Sequence, residues 1–123
     1  MQIIIDTHIF LWVLFEPAKL NKTKRLLLED LSNTIYVSAI SIAELVIKDS
    51  IGKLKIEFDP IAMAKKSGFL LLDFTAQAAL QLKNMPYYHK DPFDRMIIAQ
   101  SLSDDFFIMT EDSKFTQYGC KLL

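Results

Sequence analysis

The sequence predicts an α/β fold: a three-layer α/β/α sandwich with a mostly parallel central sheet of about five strands. Two observations carry that expectation. The apolar runs are short and continuous rather than alternating, as in strands buried on both faces of a parallel sheet. Helical patterns lie between them, which supplies the crossovers that parallel strands require. Length sets the scale, because 123 residues with 51% hydrophobic and 24% charged side chains suit a single domain spanning residues 1–123. Such a chain buries roughly two-thirds of its unfolded surface.

Taken in order, "QIII" reads as the first strand and is followed at once by Asp6-Thr7. A first helix then carries Leu11, Trp12 and Phe15. "PAKLNKTKRLLLEDLS" reads as one helical segment with Leu20, Leu27 and Leu31 at helical spacing. "TIYVSAIS" is the second strand, and "SIAELVIKDSIG" is a helix that starts at a serine and stops at Gly52. Asp59-Pro60 opens the helix "IAMAKKSG"; "FLLLDF" is a strand; Thr75 opens "AQAALQLKNM". Asp91-Pro92 opens "FDRMIIAQSLSDD", and the strands "DDFFIMTED" and "CKLL" complete the set.

Several classes of protein are excluded early. Cys120 is the only cysteine, so there is no intrachain disulfide, no thiolate zinc cluster and no CxxC redox pair. The run "IFLWVLF" is too short for a membrane span, and it follows Asp6 and His8 without a basic flank, unlike a signal peptide. A cytoplasmic protein without membrane association is the expectation. The net charge of −1 argues against coating nucleic acid by bulk charge alone.

On an open parallel sheet, ligands sit beyond the carboxyl ends of the strands. Asp6 ends the first strand, Asp112 follows "FFIMT", and Glu44 and Asp94 are expected in the first turns of two helices. Helix capping is the simpler reading for the last two, since Ser41-x-x-Glu44 has the form of a capping box and Asp91-x-x-Asp94 approximates one. The chain contains its own control. Asp59-Pro60 starts a helix with the same cap but has Ala62 where Asp94 would stand. Glu44 shares a stripe with Ile47 and Ile51, and Asp94 one with Ile97 and Ile98, so both acids are expected to face inward. A buried carboxylate costs several kcal/mol when unpaired, on the order of what a cation offsets. Oxygen ligands alone point to Mg²⁺ or Mn²⁺, one or two ions, rather than zinc. His8 and His89 lack ligand spacing and read as non-ligands, with His89 free to touch substrate.

These segments together resemble the PIN-domain ribonucleases, and among them the VapC toxins of toxin–antitoxin pairs. "IIIDTHIFLW" resembles the family's opening strand and first acid, and "VSAISIAEL" with "GKL" resembles its second motif. "YYHKDPFDRMIIAQS" resembles the H-x-D-P-F-D-R signature of one VapC subgroup, and "IMTEDSKFTQY" resembles the closing motif. The resemblance runs from about residue 2 to the end, and its specificity lies in the ordered combination. It implies an acidic site at Asp6, Glu44, Asp94 and Asp112, with Thr7 and Thr110 holding the acids or a metal-bound water. Ser38 and Ser41 are mainly structural in this reading, Asp91 is an N-cap, and Arg95 either pairs with an acid or touches a phosphate.

The resemblance further implies a Mg/Mn-dependent endoribonuclease leaving 5′-phosphate and 3′-hydroxyl ends. Its partners would be an RNA substrate, a cognate VapB-type antitoxin and a second copy of the chain in a homodimer. Leu11, Trp12, Phe15, Leu45 and Ile51 are candidates for the antitoxin groove. With the four site acids neutralised, 15 − 4 leaves 11 acids against 14 Lys and Arg. Lys22, Lys24, Arg25, Lys48, Lys53, Lys90 and Arg95 are then candidate phosphate contacts. Two other readings stand beside this one: a catalytically silent PIN-like binding domain, and a receiver-type module built on Asp6, Asp73, Thr110 and Lys121. Asp73 itself is expected to cap the helix at Thr75.

Overall fold

The structure is a computed structural model and describes residues 1–123. Five strands, β1 (Gln2–Ile5), β2 (Thr34–Ser38), β3 (Leu70–Leu72), β4 (Phe107–Met109) and β5 (Lys121–Leu122), form one sheet in the order β3-β2-β1-β4-β5. Every pairing is parallel, with Ile3 opposite Ile35 on one side and Phe107 on the other. The six helices are α1 (Thr7–Phe15), α2 (Lys22–Glu29), α3 (Ala39–Ser50), α4 (Pro60–Lys66), α5 (Ala76–Gln81) and α6 (Pro92–Asp104).

The continuous apolar character of β1 follows from its central place. Ile3, Ile4 and Ile5 are all fully buried, but they serve opposite faces because strand side chains alternate. Ile3 and Ile5 join Ile9, Phe10, Val37 and Leu45 in one core layer. Ile4 joins Ile97, Ile98, Ala99, Ile108 and Phe115 in the other. The sheet is thus covered on both sides, which is the expected sandwich.

Order matters for the site. From β1 the chain builds β2 and β3 on one side, then crosses to build β4 and β5 on the other. The adjacent carboxyl ends of β1 and β4 form the crevice where such sheets bind ligands. Asp6 leaves β1 there, tied to its neighbour by a hydrogen bond from Asp6 N–H to the Met109 carbonyl at 3.1 Å.

Three local expectations are corrected. Residues 17–32 are not one helix: Pro17–Lys19 form a single 3₁₀ turn, Leu20 is extended so that it reaches the core, and Asn21 starts α2 by accepting the Lys24 N–H at 2.8 Å. Helix α3 starts three residues early, inside the expected strand, because the Ser38 hydroxyl accepts the Ile40 N–H at 3.0 Å. Thr75, not Asp73, caps α5, accepting the Ala78 N–H at 3.1 Å. Asp73 contributes only its carbonyl, which accepts from the Gln100 amide.

Candidate active site

Asp6 stands between β1 and α1 and is buried. Its Oδ1 accepts the Ile9 N–H at 2.8 Å and caps the helix, and its Oδ2 accepts the Thr110 hydroxyl at 2.5 Å. Burial pushes this carboxyl above the usual range, against the two hydrogen bonds that favour its charged form. Thr110 does double duty, because its oxygen also accepts the Asp112 N–H at 3.0 Å. One hydroxyl therefore couples the ends of β1 and β4.

Glu44 is 3% exposed and is no helix cap. With Ser38 as the cap, it falls in the second turn of α3 rather than the first. Its Oε1 accepts the Thr7 hydroxyl at 2.7 Å, and the same hydroxyl lies 2.9 Å from Ser41 Oγ. Its Oε2 pairs with Lys48 Nζ at 2.6 Å. The expected inward stripe is corrected in phase: Ile47 and Ile51 are 45% and 59% exposed, and the buried face is Ile40, Ser41, Glu44 and Leu45.

Asp94 lies in the first turn of α6, and the capping there belongs to Asp91. The Asp91 Oδ1 accepts the Phe93 and Asp94 N–H groups at 2.8 and 3.2 Å. In a capping box Asp94 would return a bond to the Asp91 N–H. That N–H goes instead to His89 Nδ1 at 3.2 Å. Asp94 Oδ2 sits 2.9 Å from His89 Nε2, and Asp112 Oδ2 is equally close to the same nitrogen. Because Nδ1 accepts, Nε2 carries the proton of the neutral ring and donates to both carboxylates. The Asp94 carboxyl is pushed up to about 7. Burial is the main cause, followed by the Asp91 charge; His89 pulls the other way, and Glu44 and Asp6 add repulsion.

Asp112 completes the set at the start of the 3₁₀ segment Ser113–Tyr118, where its Oδ1 accepts the Lys114 N–H at 2.9 Å. The ligand atoms of His89, Asp94 and Asp112 lie within 4.8 Å of one another, close enough to share a metal ion if Nε2 gives up its proton, and with that proton in place the two carboxylates are the ligands. Asp6 and Glu44 border that group closely enough for Asp94 to feel both charges, and Asp6 feels Asp112. The structure thus brings together the four acids that the sequence singles out.

Other candidates are corrected. His89 is not a free substrate contact: its ring is buried, packs its edge on Phe115 and bridges the two acids. Arg95 meets neither an acid nor open solvent. It is buried, and it donates to the Pro86 carbonyl at 2.7 Å, the Met85 carbonyl at 3.3 Å and the Tyr118 hydroxyl at 3.2 Å. Lys24 is engaged by Glu111 at 3.0 Å. Among the groove candidates, Leu11 and Phe15 line a cavity of about 430 Å³ with Leu54, Ile56 and Phe58. Leu45 is core, Ile51 is exposed at the end of α3, and Trp12 is partly buried under the Lys19 ammonium.

Sequence reasoning named Lys48 and Lys53 as candidate phosphate contacts but not the pairing of Lys48 with Glu44. A cavity of about 180 Å³ shares Leu11 and Leu54 with the groove and is bordered by Thr7, His8, Glu44, Lys48 and Lys53. Lys48 is held in its charged form first by the hydrogen bond to Glu44, with the Asp91 and Asp94 charges adding to it. The signal was present in the four-residue spacing of Glu44 and Lys48.

A PIN-domain sequence profile matches residues 3–120. The chain belongs to the PIN-domain family. No curated relative matches its sequence. Among solved structures, the chain is similar to VapBC2 from Rickettsia felis bound to a promoter DNA fragment (TM-score 0.74, 18% identity, 100% of this chain and 98% of that one). It is similar to DNA-bound VapBC from Salmonella typhimurium (TM-score 0.71, 18% identity, 100% and 97%). The PIN domain endonuclease Utp24 also matches (TM-score 0.56, 22% identity, 94% and 74%). These likenesses give the PIN fold across the whole chain.

The same sheet overturns the receiver reading. Receiver domains use the strand order 2-1-3-4-5, whereas this PIN sheet runs β3-β2-β1-β4-β5. Asp73 follows edge strand β3, separated from β1 by β2, and Lys121 pairs with Asp105 at 3.0 Å on the far side.

Proposed function

We propose that this PIN domain is a metal-dependent endoribonuclease, the toxin of a VapBC-type toxin–antitoxin pair, that hydrolyses RNA to 5′-phosphate and 3′-hydroxyl ends. One observation carries the reading: four carboxylates converge at the carboxyl ends of β1 and β4, with Asp94 so crowded by burial and like charge that it holds its proton to about pH 7. The donor set fits a hard divalent ion, since oxygen ligands and an excess of negative charge suit Mg²⁺ or Mn²⁺. Asp6, Glu44, Asp94 and Asp112 would hold it. Such an ion, when bound, makes water a stronger nucleophile and stabilises charge on the departing oxygen.

The protein's own part is positioning. Thr110 fixes Asp6, Thr7 fixes Glu44, and the His89 N–H fixes Asp94 and Asp112. These groups are locked before substrate arrives, so little reorganisation remains for the reaction. Lys48 sits on Glu44, where an ammonium offsets charge and can turn to a phosphate oxygen. The antitoxin partner is supported by the likeness to VapBC complexes and by the apolar groove that adjoins the Glu44 cavity. A homodimer accompanies this reading.

The test is cleavage of mixed cellular RNA by the purified protein with Mn²⁺, beside EDTA and an Asp94→Asn variant, with 5′ ends mapped. Discrete cuts bearing 5′-phosphates from the metal-loaded wild type alone are expected. No cutting by the wild type would leave the catalytically silent binding domain as the better reading.

A further inference from the structure

We infer that Tyr87 and Lys90 form a nucleobase subsite: the Tyr87 ring stacks on a base beside the scissile phosphate of single-stranded RNA, and Lys90 contacts that nucleotide's phosphate. The inference rests on the nuclease reading and adds where the chain grips its substrate.

Tyr87 is 81% exposed, yet the loop that carries it is pinned on both sides. The Pro86 carbonyl accepts from Arg95 Nη1 at 2.7 Å and from the Tyr118 hydroxyl at 2.8 Å, and that hydroxyl accepts the His89 N–H at 2.8 Å. The ring is fixed too, because the Arg95 guanidinium lies 4.1 Å from its centroid. One face is thus occupied by a buried cation, and the rest of the ring remains largely in solvent. Holding an aromatic ring rigid and exposed has no value for the core, but it removes the entropic cost of ordering a stacking platform.

The surroundings choose the occupant. Tyr87, Lys90, Arg95 and Met96 line a cavity of about 320 Å³ with Leu82 and Pro92. Arg95 has only neutral oxygens and the Tyr87 ring for partners, so its charge is not cancelled by a carboxylate. Lys90 is exposed. An aromatic face beside two cations suits a planar base on an anionic backbone, and such stacking is tolerant of sequence. The subsite is also near the chemistry: only Tyr88 separates Tyr87 from His89, so their Cα atoms lie within about 7 Å. His89 is the residue that bridges Asp94 and Asp112.

The test uses the Asp94→Asn protein, in EDTA, as an uncleaving parent. Fluorescence anisotropy with a labelled pool of random eight-nucleotide RNAs reads affinity, and melting temperature confirms that each variant folds. Adding Tyr87→Ala should weaken binding about tenfold, while Tyr87→Phe should bind within about twofold of the parent, since the ring and not the hydroxyl stacks. Adding Tyr87→Trp should retain binding and give a new tryptophan emission that RNA quenches, beyond the Trp12 background. Lys90→Ala should lower the slope of affinity against salt by about one counterion. Equal affinity for the alanine and phenylalanine variants, or no quenching at position 87, would overturn the subsite while leaving the nuclease reading intact. A parent that binds no RNA in EDTA, and none when Mn²⁺ replaces the EDTA, would overturn both.

Discussion

Helices α4 and α6 begin with the same two residues and end up with different chemistry. Asp59 accepts the Ile61 and Ala62 N–H groups at 3.0 and 3.2 Å, and Asp91 accepts the Phe93 and Asp94 N–H groups at 2.8 and 3.2 Å. Proline takes the first helical position in both. One start then places Ala62 in its first turn, and the other places Asp94 beside His89, Asp112 and the charges of Glu44 and Asp6. A helix start of this kind is complete without the second acid. What α6 adds at Asp94 is therefore extra to capping, and it comes with electrostatic repulsion that α4 does not carry.

The sharpest way to break the comparison is to neutralise Asp94. Asp94→Asn should lower the Mn²⁺-dependent cleavage rate by about 10²–10⁴-fold, measured as initial rates on a defined RNA, and should raise the melting temperature of the metal-free protein. A rate near that of the wild type would reduce Asp94 to a helix-start acid like any other.

Acidity separates the two starts next. The Asp94 carboxyl is raised from 3.8 to about 7, so between those values the folded protein binds more protons than the unfolded chain. Stability of the metal-free protein should therefore fall as pH rises from about 4 to about 7, by no more than about 3 kcal/mol. Urea denaturation across that range reads it, and saturating Mn²⁺ should flatten the slope. Asp91→Asn, which keeps a capping oxygen but removes the charge that repels Asp94 most, should shrink the same slope.

Smaller effects test the caps themselves. Asp59→Ala should cost about 1 kcal/mol at every pH above the carboxyl range, read by the same denaturation curves, with cleavage unchanged. Ala62→Asp gives the smallest change, a gain of about 0.3–1 kcal/mol from the helix dipole. It should bring no Mn²⁺ dependence to the melting temperature, because α4 lacks the other acids.

Much of this was legible in the residues. Three consecutive isoleucines announce a central strand, and Asp59, Thr75 and Asp91 announce helix starts because capping is local chemistry. Asp6 and Asp112 stood out by their positions after strands, and Glu44 and Asp94 by their inward-facing positions near helix starts. The phase of α3 was not, since Ile47 and Ile51 are apolar residues on an exposed face, and hydrophobicity alone pointed the helix the wrong way. The work of His89 and Arg95 was also hidden. Both depend on Tyr118, more than twenty residues downstream, and on the path of the loop from Met85 to Asp91. No local pattern encodes that meeting.

The central strand of the sheet is made before both of its neighbours. A ribosome delivers β1 and its partner β2 early, but the other neighbour of β1 is β4, and the Thr110 hydroxyl that secures Asp6 lies 104 residues further along. At roughly 5–20 residues per second, the wait is roughly 5–20 s. During that interval one edge of β1 has no partner, and the nascent chain lacks Asp94, His89 and Asp112. The crevice closes only when β4 pairs with β1, so the order of synthesis keeps the acidic centre unassembled on the ribosome until β4 and the segment after it have been made.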